Sequence, residues 1–185
     1  MTIRPALIAL PLLLAACADS ATEPEAIFAD AELTNGGTVC PQDHWVDLDA
    51  YVDDGVPAPG DDFLARNAER DGVVTTASGL QYKVVQAGLE DGVAPEPGSY
   101  VRAKYHGILT DGTVFDSAYN DDRVFETATN RVIPGWIEAL ESMKPCEARI
   151  LYIPSELAYG KFGAGNVIGP DADLIFYMQM LGALQ

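Results

Sequence analysis

The apolar positions of this chain change their spacing several times, and each change marks an element. "DDFLARNAERDG" (61–72) has helical spacing, with Asp61 or Asp62 placed to cap its start and Gly72 to end it. "LQYKVVQ" then alternates, setting Leu80, Tyr82 and Val84 on one side of a strand. "YVRAKYHGIL" sets Val101, Ala103 and Tyr105 against Arg102, Lys104 and His106 in the same way. The Asp-Gly in "TDGT" (110–113) predicts a hairpin turn, and Phe115 follows it directly. "NRVIPGWIEALESM" switches back to helical spacing. Pro134 suits a first helical position, and Ile137, Leu140 and Met143 make an apolar stripe that ends at Lys144-Pro145. "EARILYIP" alternates Ala148, Ile150 and Tyr152 with Arg149, Leu151 and Ile153. "DLIFYMQMLGAL" sets Leu174, Phe176, Met178 and Met180 on one face. The loop 159–170 between these two strands is rich in glycine, so backbone freedom shapes it.

Many short strands and one short central helix predict an α+β domain. The helix can bury its stripe only against the concave face of a curved antiparallel sheet. Trp136, on the first turn of that helix, then sits at the open end of the sheet.

The chain before residue 61 reads differently. "MTIRPALIALPLLLAACADS" has one positive charge, Arg4, and an apolar run from Ala6 to Ala16 that suits a signal peptide and is too short to span a bilayer. Leu14-Ala15-Ala16-Cys17 resembles the bacterial lipobox, at which Cys17 is lipidated and becomes the mature N-terminus; ordinary cleavage beside an incidental cysteine is the alternative. Residues 18–60 hold ten Asp or Glu and no Lys or Arg, as a flexible acidic spacer would, although Trp45, Leu48 and Tyr51 could form a small packed piece. The expected organisation is a signal peptide over 1–16, an acidic N-terminal extension over 17–60 and a folded domain over 61–185. The expected location is outside the cytoplasm, lipid-anchored to a bacterial membrane and facing the periplasm or cell surface.

Composition adds exclusions. The formal net charge is −17, from 11 basic and 28 acidic residues, which argues against a nucleic-acid partner. The chain is 48 % hydrophobic and 21 % charged, ordinary globular material. With Cys17 lipidated, Cys40 and Cys146 are left in an oxidising compartment, where they either form a disulfide or stay as two thiols. There is no Cys-x-x-Cys, and His44 and His106 are far apart in the chain, so neither a metal site nor a cofactor is expected.

Four fragments, in order and spacing, carry a resemblance. "YHGILTDGTVFDSAY", "RVIPGWIEALESM", "ELAYGKFGAG" and "DADLIFYMQML" together resemble the FKBP-type peptidyl-prolyl cis–trans isomerases, over about residues 61–185. "FLARNAERDGVVTTASGLQYKVV" resembles the lead-in of bacterial, often secreted, members. The resemblance implies that Tyr105, Phe115, Asp116 and Tyr159 are the catalytic positions. It implies a substrate cup of Phe125, Val132, Ile133, Trp136, Val167, Ile168 and Phe176, with Trp136 as its floor. It also implies that the Ile133 N–H and the Tyr159 hydroxyl hold peptide carbonyls, that Asp116 orients polar groups at the rim or interacts with the rotating carbonyl, and that macrolide inhibitors bind. Three positions depart from the family. Ala164 stands for a loop His, Arg131 for a Glu of one subgroup, and Gly169 precedes Pro170 where some members have two prolines. These lie at the rim, so altered sequence preference and drug contact are expected.

Taken singly, Tyr105, Phe125, Trp136 and Phe176 read as core, and Asp116 as a turn residue. Their joint placement favours a site. The expected function is isomerisation of Xaa-Pro bonds in exported clients. The alternative is a peptide-binding chaperone or surface interaction module that uses the same cup without turnover, the acidic extension serving as a contact surface in the latter case.

Overall fold

The computed structural model describes residues 38–48, 57–119 and 123–184. The leader, Cys17 and Tyr51 lie outside the described residues. Among the described residues there are eight strands: β1 (Thr38–Val39), β2 (Val73–Thr75), β3 (Gln81–Gln86), β4 (Tyr100–Leu109), β5 (Val114–Ser117), β6 (Phe125–Ala128), β7 (Ala148–Ile153) and β8 (Leu174–Leu184). Two α-helices accompany them in the same residues, α1 (Phe63–Ala68) and α2 (Pro134–Leu140). The strands form one sheet in the order β2-β3-β7-β8-β4-β5, with β1 also on β8 and β6 also on β4. Each pairing is antiparallel. This is the α+β fold expected, a curved antiparallel sheet around one short helix.

The sheet separates two apolar clusters. On the concave face, α2 presses Trp136, Ala139 and Leu140 against Leu151 and Ile153 of β7 and Leu174, Phe176, Met178 and Met180 of β8. On the other face, Ile150 and Tyr152 of β7 and Ile175 and Tyr177 of β8 pack with Phe63 of α1 and with Leu48. Central strands covered on both faces lose their polar alternation. All six residues of β7 are accordingly buried, where alternation had set Arg149 opposite an apolar face.

The segment before residue 61 is not all spacer. Residues 38–48 lie on the outer face of the sheet, with β1 paired to the end of β8. The Val46 N–H donates to Gln179 Oε1 at 3.0 Å, and Gln179 Nε2 donates to the His44 carbonyl at 2.9 Å. Cys40 and Cys146 are joined by a disulfide, with Cα atoms 4.9 Å apart across a sequence separation of 106. This cover explains why Lys104 and His106, on the expected polar side of β4, are buried. Lys104 Nζ lies 4.8 Å from the Trp45 ring centroid and 5.4 Å from that of Tyr119. Cation–π contacts of this kind offset the loss of water around the ammonium.

Local readings also shift by a residue or two. The Asp62 side chain makes no cap bond; it pairs with Arg66 at 3.0 Å. Helix α1 ends at Ala68 with Glu69 as its C-cap, and Gly72, at φ +79°, turns the chain into β2. Within β3 it is Gln81 that is buried, bonded to Asn67 Nδ2 at 2.8 Å and to the Leu64 carbonyl at 2.9 Å, while Val84 is exposed. Helix α2 stops at Leu140, before Lys144-Pro145, and Arg149 holds its end by donating to the Ser142 hydroxyl at 2.8 Å and carbonyl at 3.0 Å.

Candidate active site

Helix α2 starts where Ile133 is extended, at φ −62° and ψ 151°, and Pro134 supplies a first residue whose missing N–H no helix bond needs. The Ile133 carbonyl accepts from the N–H groups of Trp136 at 2.9 Å and Ile137 at 3.1 Å. Gly135 permits the tight approach of this turn to the sheet: a Cβ there would lie 2.5 Å from Ile153 Cγ2. The indole of Trp136 is thereby lowered onto β8, its ring centroid 5.0 Å from that of Phe176 at an interplanar angle of 80°.

The other aromatics stand edge to face around it. Tyr105 is 4.9 Å from Trp136 and 5.5 Å from Phe125, and Phe125 is 5.7 Å from Trp136. Phe115 is 5.3 Å from Phe176. Such arrangements set the positive ring edge on the negative ring face and resist collapse into a stack. Gly107 on β4 makes room for the last pair, since a Cβ there would come within 2.8 Å of both rings. The result is an open cleft of about 620 Å³.

Every residue assigned to the cup reaches this cleft. Tyr105, Phe115, Asp116, Phe125, Val132, Ile133, Trp136, Tyr159, Val167, Ile168 and Phe176 all line it. Trp136 and Phe176, each 4 % exposed, are its deepest walls; Tyr159 and Val167 form an exposed rim. Arg131 and Ala164, two of the departures from the family pattern, also line it. Gly165 and Asn166 were missed by the sequence reading. Their signal was position alone, inside the glycine-rich loop between two residues that were chosen.

Polar groups are few and sit at the edge. The Tyr105 hydroxyl donates to Asp116 Oδ2 at 2.6 Å, which holds the phenol against the cleft wall. Burial first, and then this bond to the Asp116 carboxylate, push the phenol's pKa well above the usual tyrosine value. Trp136 Nε1 is buried and finds no oxygen or nitrogen partner among the described residues. The site therefore offers a dry aromatic floor, an acceptor–donor pair at one edge and a loop hydroxyl at the other.

Fold and cleft together define a curved antiparallel sheet whose concave face opens at one end into an aromatic-floored cleft. Residues 91–181 match the FKBP-type peptidyl-prolyl cis-trans isomerase family, and residues 54–84 match the domain amino-terminal to such isomerases. A probable FKBP-type peptidyl-prolyl cis-trans isomerase FkpA of Neisseria meningitidis is 44% identical over 122 residues, covering 66% of this chain and 44% of the relative. The peptidyl-prolyl cis-trans isomerase Mip of Coxiella burnetii is 45% identical over 119 residues, covering 64% of this chain and 51% of the relative. A crystal structure of a peptidyl-prolyl cis-trans isomerase from Pseudomonas syringae superposes with a TM-score of 0.61 at 31% identity, covering 66% of this chain and 88% of that one. The chain spans about half the length of the curated relatives it matches. It belongs to the FKBP-type peptidyl-prolyl isomerase family.

Proposed function

We propose that the protein is a peptidyl-prolyl cis–trans isomerase for proline-containing segments of exported proteins. The observation that carries this reading is the cleft itself: a Trp136 floor ringed by edge-on aromatics, open to solvent, with its polar groups confined to the rim. A peptide bond resists rotation by roughly 18–20 kcal/mol because its C–N bond has double-bond character. Before proline both isomers are populated, and they exchange in about tens to hundreds of seconds unaided. A catalyst must bind the twisted amide better than the planar one.

The cleft's apolar lining does this, because a bound peptide displaces water from it. The planar amide has a charge-separated resonance form that water stabilises. Twisting removes that polarity, so transfer to an aromatic wall costs the planar amide more than the twisted one. The proline ring rests on Trp136 and Phe176. The Ile133 N–H, which donates to no protein acceptor among the described residues, takes one peptide carbonyl, and the Tyr159 hydroxyl takes another. Asp116, held by Tyr105, faces the rotating carbonyl at the rim and orients it; no proton moves in the reaction. Macrolides that present a proline-like ring occupy the same cup.

Export and anchoring complete the proposal. The apolar run 6–16 acts as a signal peptide, Cys17 carries lipid, and the acidic residues after it space the domain from a bacterial membrane on its periplasmic or outer side. A disulfide between Cys40 and Cys146 suits that oxidising location. A protease-coupled assay on a short Ala-Leu-Pro-Phe peptide tests the activity. Acceleration of the cis-to-trans step, inhibited by a macrolide, is expected. A folded protein that leaves the spontaneous rate unchanged for every Xaa-Pro peptide would falsify the proposal.

A further inference from the structure

Outside the cleft, one aromatic side chain stands almost wholly in solvent. Phe162 is 93 % exposed, more than any other large apolar residue described. It closes the 3-10 turn Gly160–Phe162, which begins directly after the cleft-lining Tyr159. Tyr159 and Val167, also exposed and on the same loop, both line the cleft. The rim loop thus gathers an apolar crest that runs outward from the site.

Phe162 lies three residues after the cleft-lining Tyr159, and its N–H donates to the Tyr159 carbonyl at 3.4 Å, which ties the residue that carries the ring to the rim of the cleft. The loop is also tied down. Asp171 N–H donates to the Gly160 carbonyl at 2.9 Å, and Ala164 and Ile168 exchange bonds of 2.9 and 3.1 Å. Gly163, at φ +61°, lies so close to the Ile168 carbonyl that any Cβ would collide with it. The backbone that carries the ring is thereby held, so binding has the side chain to order and little of the loop.

We propose that Phe162 forms an outer subsite that takes one large apolar side chain of the client, on a residue flanking the Xaa-Pro pair rather than within it. The inference rests on the isomerase reading above. The occupant is an unfolded polypeptide segment, because the crest continues from the cleft through Tyr159 and Val167. One protruding ring beside a cleft suits one side chain of an extended peptide; it offers no broad flat face to a folded partner.

The test uses the full chain and Gly/Ser-rich host peptides with one Ala-Pro bond. A single Phe is moved one position at a time along either side of that bond. For the wild type, kcat/KM from exchange NMR is expected to favour Phe over Ser at one flanking position by about five- to tenfold. Phe162→Ser is expected to level that ratio to about one, with circular dichroism melts confirming that it folds. No positional preference in the wild type, or a preference that survives Phe162→Ser, overturns the proposal. Anisotropy titration of the same labelled peptides reads the subsite without turnover. If no peptide is accelerated, yet Phe162→Ser weakens only the Phe-bearing peptide, the subsite stands and the isomerase reading falls. Self-association of the wild type that Phe162→Ser abolishes, with no peptide preference, places a second copy on the crest and overturns the proposal.

Discussion

The two faces of the sheet bury similar side chains and end differently. On the outer face, Phe63 meets Tyr152 with ring centroids 6.2 Å apart, and Leu48 closes the cluster. Polar groups there are matched: Asn67 bonds Gln81, Arg70 Nη1 donates to the Tyr152 hydroxyl at 3.0 Å, and Gln179 is held by residues 44 and 46. On the concave face, the seven-residue helix α2 is too short to cover the sheet, and its first turn carries the largest side chain. The aromatics around Trp136 cannot close the gap because each meets its neighbour edge to face. The lesson is that a binding cleft here is a core left unfinished at one end. The outer face shows the same materials with a lid added from residues 38–48.

If the outer face is a sealed core and the inner one a site, the faces must respond differently to damage. The largest effect falls on the lid. Reducing the Cys40–Cys146 bond opens a loop of 106 in sequence separation, for which chain entropy predicts a loss of about 4–5 kcal/mol. Urea unfolding with and without reductant should show that loss, while kcat/KM per folded molecule changes little. Activity falling in step with stability would mean that the faces are not independent.

Next come paired truncations. Phe63→Ala and Trp136→Ala should each cost about 3–5 kcal/mol of stability, since both side chains are buried. Below their melting temperatures only Trp136→Ala should abolish peptide turnover. A Phe63→Ala protein equally inactive while folded would break the comparison.

At the rim, Asp116→Asn weakens the charge-assisted bond from the Tyr105 hydroxyl. The expected cost in kcat/KM is about tenfold, with Tm nearly unchanged because Asp116 is exposed. Steady-state kinetics showing a wild-type rate would remove Asp116 from the proposed chemistry.

The smallest effect expected is that of pH. The folded-state pKa of Tyr105 is raised, so the neutral phenol's contribution to stability is complete below the ordinary tyrosine value. It is lost progressively as pH rises above the ordinary tyrosine value and through the folded-state one. Between about pH 6 and pH 9 the rate should therefore be flat. A bell-shaped profile centred in that range would point to proton transfer and against a purely conformational mechanism.

Sequence by itself determined what local chemistry dictates. The hairpin turn after β4, the start of α2 at Pro134 and the face of β8 that carries Leu174, Phe176, Met178 and Met180 were all legible, because turn residues and apolar periods report on neighbouring residues. The aromatic and apolar side chains that meet at the cleft were legible too, through four fragments in a familiar order, while the lining Gly165 and Asn166 were not. Tertiary structure decided the rest. The burial of Lys104, His106 and Gln179, and of both sides of β7, depends on a second layer contributed by α1 and residues 38–48. No periodicity announces that layer, since a strand covered on both faces has no polar side to show. The depth of Trp136 depends in turn on Gly135, and the Phe115–Phe176 contact on Gly107, glycines whose need appears only where distant side chains press against them.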